Sequence, residues 1–266
     1  MNLRLILLAM VASVATRAAE PLRLGMIGLD TSHVPAFAKT YNDPKAPGHV
    51  PGGRVVAAYK GGSADIESSA SRVEGYTQQL VDTYGVKIYD TIEELARNVD
   101  AILIESVDGR PHLEQFRRTL AAKKPVFIDK PFAGSLKDAV ELVRLARAAG
   151  VPIFSSSSLR YSPEPFAPKL AAIGDITSAY SIGPAVYEPT HPDFFWYGIH
   201  CVEALYTVLG PGCTQVVRTQ TANADVITGI WSDGRVGTAQ GNRNSFKGYG
   251  VTVVGTKGVA VVGEKQ

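Results

Sequence analysis

The sequence predicts an α/β protein: a doubly wound parallel sheet in the N-terminal half, then an α+β unit with an open, mainly antiparallel sheet. Three observations carry that prediction. Between residues 22 and 150, short apolar runs alternate with helical patterns of about ten residues, as parallel strands with right-handed crossovers require. After Pro152-Ile153-Phe154 the texture becomes irregular, with serines at 155–158 and prolines at 163, 165 and 168. From residue 214 onward β-rich runs dominate, and the Asp233-Gly234 and Lys257-Gly258 pairs suit antiparallel hairpins.

Taken in order, residues 22–27 read as an apolar strand, followed by a Gly-Leu-Asp-Thr-Ser-His turn and a helix from about Val34. Residues 54–59 read as a second strand, and 64–84 as one helix closed by Gly85 at a C-cap position. Thr91-Ile92-Glu93-Glu94 is a capping box that opens another helix. Residues 101–105 form a buried strand, 111–122 a helix, and 125–128 a strand that ends near Lys130. The helix at 135–149 places Leu136, Ala139, Val140 and Val143 on one face, and Gly150 ends it. Beyond the irregular connection, one helix is expected at 199–209, with strands at 215–218, 225–231, 236–240 and 249–254.

Bulk properties narrow the function. With 266 residues, 45% of them hydrophobic and 20% charged, the chain buries a proper core in one large or two modest domains. Net charge is +2, and no basic run or aromatic-basic patch points to nucleic acid. Asn2-Leu3-Arg4, the apolar run 5–12 and the small residues after it have the layout of a secretory signal peptide at 1–19, too short to span a bilayer. The expectation is an exported protein, periplasmic or extracellular, with no membrane contact after cleavage. A buried first element of the fold is the alternative. Cys201 and Cys213 have no metal spacing; they read as unpaired or buried thiols, with a bridge as the alternative.

Chemistry-bearing residues gather where the strands end. Lys130 stands between an acid and a proline, and Pro131 pushes it towards extended geometry, so its ammonium is aimed. Ligands bind at the carboxyl ends of strands in open α/β sheets, which is where Lys130 falls; read alone, it is a surface lysine. A dinucleotide fingerprint needs three glycines after the first strand. Here only Gly28 stands, with Asp30 and His33 at the later positions and Thr31 and Ser32 between them. Lys60, where an acid would hold an adenosine ribose, suits a 2′-phosphate instead and would favour NADP over NAD. Ser106 and Asp108, with His112 on the next helix start, line a nicotinamide or substrate pocket or cap that helix. Further on, Phe194-Phe195-Trp196-Tyr197-Gly198-Ile199-His200 offers a histidine that titrates near neutrality. It offers Tyr197 as a further donor, and aromatics that either stack on a sugar or pack in the core.

With these residues in place, the chain resembles the glucose–fructose oxidoreductase / inositol dehydrogenase (Gfo/Idh/MocA) family from about Leu22 to Gly258. The resemblance rests on Gly25-Met26-Ile27-Gly28, Val99-Asp100-Ala101, Asp129-Lys130-Pro131, Ala148-Ala149-Gly150-Val151, Tyr197-Gly198-Ile199-His200 and Val254-Gly255-Thr256-Lys257-Gly258. Asp129-Lys130-Pro131 is the most specific, similar to the family's Glu-Lys-Pro motif. The resemblance implies a Rossmann-type dinucleotide-binding domain at 20–150 and a substrate domain at 151–266, which pairs copies of the chain in similar proteins. It implies hydride transfer between NAD or NADP and a hydroxyl of a sugar or cyclitol, with Lys130 orienting that hydroxyl and His200 as acid/base. Trp196 falls where the family's Asp-x-Gly-x-His motif has its aspartate, and the chain ends soon after Gly258, where members continue through another strand and helix. Two other readings keep the same cleft: a redox-neutral hydrolase or lyase of glycosides, and a non-catalytic carbohydrate-binding protein with a degenerate cofactor site.

Overall fold

The computed structural model describes residues 20–161, 166–244 and 248–262; the expected signal peptide and the prolines at 163 and 165 lie outside them. The first half builds a parallel sheet from β1 (Leu22–Ile27), β2 (Gly53–Tyr59), β3 (Lys87–Ile88), β4 (Ala101–Ile104), β5 (Val126–Ile128) and β6 (Ile153–Phe154), in the order β3-β2-β1-β4-β5-β6. The order reverses between β1 and β4, so their carboxyl ends flank the crevice where such sheets bind ligands. Helices α1 (His33–Asn42), α2 (Glu67–Ala70), α3 (Val73–Tyr84), α4 (Ile92–Arg97), α5 (His112–Thr119) and α6 (Leu136–Ala149) cover the two faces.

One face is closed by Ile27, Ile104, Phe116, Ile128 and Leu142, the other by Met26, Val34, Val55 and Leu80. These strands carry apolar side chains in both directions, as a sheet buried on both faces demands. Local signals end the helices where the sequence places them. Thr91 Oγ1 accepts from Glu94 N–H at 3.2 Å and Ser135 Oγ from Asp138 N–H at 3.1 Å, each closing an N-terminus. Gly85 and Gly150 close C-termini in left-handed conformation, at φ 65° and 64°.

After α7 (Phe166–Ala172), the second sheet orders as β12-β11-β7-β10-β9-β8, from β7 (Ile176–Pro184), β8 (Cys213–Gln220), β9 (Ala224–Trp231), β10 (Val236–Asn242), β11 (Gly250–Gly255) and β12 (Gly258–Val262). All its pairs are antiparallel except β7 with β10. Helix α8 (Ile199–Leu209) packs Cys201, Ala204, Leu205 and Leu209 onto one face of it, with Trp231. Among the described residues no helix is long and apolar enough to cross a membrane. Both cysteines are free thiols, Cys201 buried under β10 and Cys213 half-buried at the start of β8.

Three expectations need correction. The single helix at 64–84 is two, α2 and α3, because Ser71 Oγ bonds back to the Glu67 carbonyl at 2.7 Å and the chain turns there. On α6 the buried ridge is Leu142 and Ala146, while Leu136 is 71% exposed and Val140 61%. Two apolar stripes run down that helix, and the sheet takes the one centred on Leu142. Strand β7 was not anticipated at all. Its inward positions are Ala179, Ser181 and Gly183, kept small because Tyr249 and Cys201 press on Gly183, so the alternation of large apolar residues is missing.

Candidate active site

The first turn of the sheet decides what the crevice admits. Gly28 adopts φ +86°, and a Cβ there would meet Ser106 Oγ at 2.2 Å and its backbone at 2.6 Å, so only glycine fits between the ends of β1 and β4. The next residues turn inward: Leu29, Asp30 and Thr31 are buried, and Ser32 alone of this loop is exposed. Asp30 reaches across the crevice, where Oδ1 accepts from Val107 N–H at 2.9 Å and Oδ2 from Ser69 Oγ at 2.6 Å. Burial raises its pKa, against the lowering pull of those two bonds.

A chain of polar contacts continues that closure. Ser69 Oγ accepts from Ser63 N–H at 2.8 Å, and Ser63 Oγ donates to Asp108 at 2.5 Å. Arg110 clamps Asp108 and Asp65 together. His191 Nε2 lies 3.1 Å from Asp108 Oδ1, close enough for an ion pair but off the line of a hydrogen bond. Burial pushes the Asp108 carboxyl up, yet His191, Arg110 and Ser63 together outweigh it and hold the group well below the usual carboxylate range. Ile66, Val107 and Trp196 pack over this network, with the Trp196 ring 4.8 Å from that of His191. Trp196 therefore plugs the closed side of the crevice instead of facing Lys130.

The other predicted cofactor residues are also engaged by the protein. Ser106 Oγ pairs with the Gln115 amide at 2.8 Å. The buried His112 ring, its proton affinity lowered by burial, holds the Ser106 carbonyl at 2.9 Å. Lys60 lies apart from the others, paired on the surface with Glu74 at 2.9 Å.

Opposite this network stands a second group of side chains. Lys130 stands just past β5, its peptide bond to Pro131 cis. Its Nζ lies 5.7 Å from the centroid of the Tyr197 ring, and the His200 ring is 5.7 Å from the same ring. Tyr197 is 38% exposed, so it forms an open floor between a cation and an imidazole. His200 Nδ1 is held by Ser157 Oγ at 2.7 Å. Burial, then the Lys130 charge, lowers its pKa to about 4, so the ring is neutral at pH 7. His33, at the start of α1, bonds through Nδ1 to Asp129 Oδ2 at 2.7 Å, beside Lys130. A cavity of about 440 Å³ opens at His33, walled by Phe37, Phe127, Phe154 and Tyr161 with Ser156 among them. That is room for a small ligand, with aromatic faces and few polar groups.

Lys130, Tyr197, His200 and His33 thus come together; Gly28, Asp30, Thr31, Ser106, Asp108 and His112 form a separate, internally bonded set. Sequence reasoning missed Ser157, His191 and Tyr249, the last 5.5 Å from His200 ring to ring. Nothing marks Ser157 among its serine neighbours. The sequence reading gives Glu105, at the carboxyl edge shared with Lys130, no role of its own, although an acid directly after a fully apolar run is itself a signal.

A nucleotide-type parallel sheet, joined to an open mixed sheet and carrying a lysine at the end of β5, defines a dehydrogenase-like two-sheet protein. The chain belongs to the Gfo/Idh/MocA oxidoreductase family with an NAD-binding Rossmann fold, whose sequence model matches residues 22–157. Among solved structures it is similar to myo-inositol 2-dehydrogenase from Lactobacillus plantarum, at TM-score 0.72 and 21% identity over 92% of this chain and 77% of that one. It is similar to apo scyllo-inositol dehydrogenase from Lactobacillus casei, at 0.69 and 17% over 92% and 76%. It is also similar to GenD2 from gentamicin A biosynthesis in complex with NAD, at 0.71 and 18% over 93% and 73%. At these identities the likeness is one of fold. No curated protein sequence matches the chain.

The family's dinucleotide can be tested against these residues. A pyrophosphate needs close backbone approach and free N–H groups at the first turn. Here the Leu29 N–H is bonded to the Lys60 carbonyl at 2.7 Å, and a buried carboxylate, Asp30, stands across the crossing. Gly61 lies so close that its Cβ would sit 3.1 Å from Gly28 Cα. In this arrangement the residues do not fit a dinucleotide.

Proposed function

We infer that the open side of the crevice performs proton transfer at a hydroxyl of a sugar or cyclitol, as a redox-neutral lyase or hydrolase. The observation that carries this reading is the contrast around Tyr197: Lys130 and His200 converge on its exposed ring, while the side that would take a hydride acceptor is filled by Asp30 and its partners. The aromatic cavity at His33 suits the apolar faces of a sugar ring.

Lys130 orients the hydroxyl and offsets negative charge that grows on its oxygen. His200, neutral and oriented by Ser157, accepts the proton as that oxygen attacks the anomeric carbon, and the imidazolium returns it to the departing oxygen as the glycosidic C–O bond breaks. Its low basicity is partly the work of the Lys130 charge, so negative charge developing on a substrate oxygen beside Lys130 lifts the ring just as the reaction needs it. Tyr197 donates to a neighbouring hydroxyl.

Family membership favours a second reading, an NAD(P)-dependent oxidoreductase acting on the same hydroxyl. It requires the segment around Gly61 and Ser63 to lift and Asp30 to withdraw, after which Lys60 suits the 2′-phosphate of NADP. A purely carbohydrate-binding role leaves Lys130 and His200 without work.

Export to the periplasm or outside the cell belongs to the same reading, since free nicotinamide nucleotides are scarce there. Pairing of copies through the second sheet is a further part of it, supported by Val216, Val217, Val259 and Val261, all exposed on that sheet. The test is a screen of glycosides and polyols with and without NAD and NADP. Turnover that needs no nucleotide and is lost in Lys130→Ala supports the redox-neutral reading; turnover only with added nucleotide overturns it in favour of the second.

A further inference from the structure

Beneath Lys130 lies a group the chemistry above does not use. Glu105 follows β4 directly, has no exposed surface, and neither carboxylate oxygen has a hydrogen-bond partner among the described residues. Buried carboxylates are satisfied almost without exception, so a bare one points to an occupant. Its neighbours narrow the choice. Ligand atoms of His33, Glu105 and Asp129 all lie within 4.8 Å of one another. A proton on Glu105 would still leave its O–H without an acceptor among the described residues.

We propose that His33, Glu105 and Asp129 bind one divalent first-row metal ion, of the Mn²⁺ or Zn²⁺ kind. One imidazole and two carboxylates match the preferences of these ions. Ligands around such an ion stand roughly 3–3.4 Å apart at bond lengths of about 2.1 Å, so the trio reaches it by small side-chain rotations. The supports are in place: the ends of β4 and β5 fix the two acids, and Phe37 packs 5.6 Å from the His33 ring. Glu105 and Asp129 are sealed from solvent, and His33 is partly exposed at the aromatic cavity, so the ion is approached from that cavity. An ion there polarises a substrate hydroxyl or carbonyl oxygen. The site stands independently of the reaction assigned to Lys130 and His200.

The experiment uses the full chain, stripped by chelator, dialysed, and titrated calorimetrically with Mn²⁺ and with Zn²⁺. One ion per chain is expected, together with a higher melting temperature. Glu105→Gln and Asp129→Asn should each weaken binding at least 100-fold and abolish the thermal shift, and the exposed Asp65→Asn should change neither. Should the buried variants not fold, His33→Ala at the cavity rim must still weaken binding tenfold or more, and must alter the visible absorption of the Co²⁺-loaded chain. No stoichiometric uptake by the wild type, or uptake indifferent to all three substitutions, overturns the proposal and leaves Glu105 as a carrier of a proton or a water.

Discussion

The two sides of the crevice between β1 and β4 hold similar residues in opposite conditions. On one side Asp30, Ser63, Ser69, Asp108 and Arg110 meet nearly all of their hydrogen-bonding capacity within the protein. On the other, Lys130 has a ring face for company, Tyr197 is open, and Glu105 is bare. A polar network that satisfies itself stabilises the fold; a buried polar group left unsatisfied calls for a partner. The fold supplies a dinucleotide crossing, and this chain has used that crossing as structure.

The largest expected effect lies on the open side. Lys130→Ala should lower turnover of any active substrate by about 10²-fold or more, with little change in denaturant midpoint. Retained turnover would break the division at its catalytic end. On the closed side, Asp30→Ala strands the Val107 N–H and the Ser69 hydroxyl, and should cost about 1–3 kcal/mol by urea unfolding while turnover survives. Loss of turnover with no loss of stability would reverse the roles assigned to the two sides.

His200 sharpens the comparison through pH. In the folded chain its pKa is about 4 against an ordinary 6.5, because burial and Lys130 oppose the charge while Asp129 only partly offsets them. The unfolded chain therefore binds the proton first as pH falls. The benefit of keeping the ring neutral is full above pH 6.5 and is lost as pH drops towards 4, by on the order of 2–3 kcal/mol. Denaturation at several pH values should show that slope in the wild type and a shallower one in His200→Gln. The smallest effect belongs to the surface: Leu136→Ala, expected from the sequence to weaken the core, should change stability by no more than about 0.5 kcal/mol, because the side chain is in solvent.

Much of this was legible in the sequence, and what was hidden has physical causes. Thr91, Ser135, Gly85 and Gly150 act through their own backbone neighbours, so the helix ends they set are local facts. The end of the strand before Lys130 likewise follows from Pro131 and the apolar run ahead of it. The fate of Asp30 is not local: whether it faces a phosphate or braces Val107 depends on a loop 77 residues away. Trp196 looked like the loss of an active-site acid, whereas its ring packs on Ile66 and Val107, elements remote in sequence. Strand β7 escaped because its buried positions had to be small. The union of His33, Glu105 and Asp129 joins three strand and helix ends that only the sheet order brings together.

The central claim, that the protein's own side chains occupy the dinucleotide crossing, is tested most directly by fluorescence titration of the purified chain with NADH and NADPH. The account predicts no saturable binding of either at millimolar concentration and no nucleotide released on denaturation. Micromolar saturation, or a co-purifying nucleotide, would contradict it.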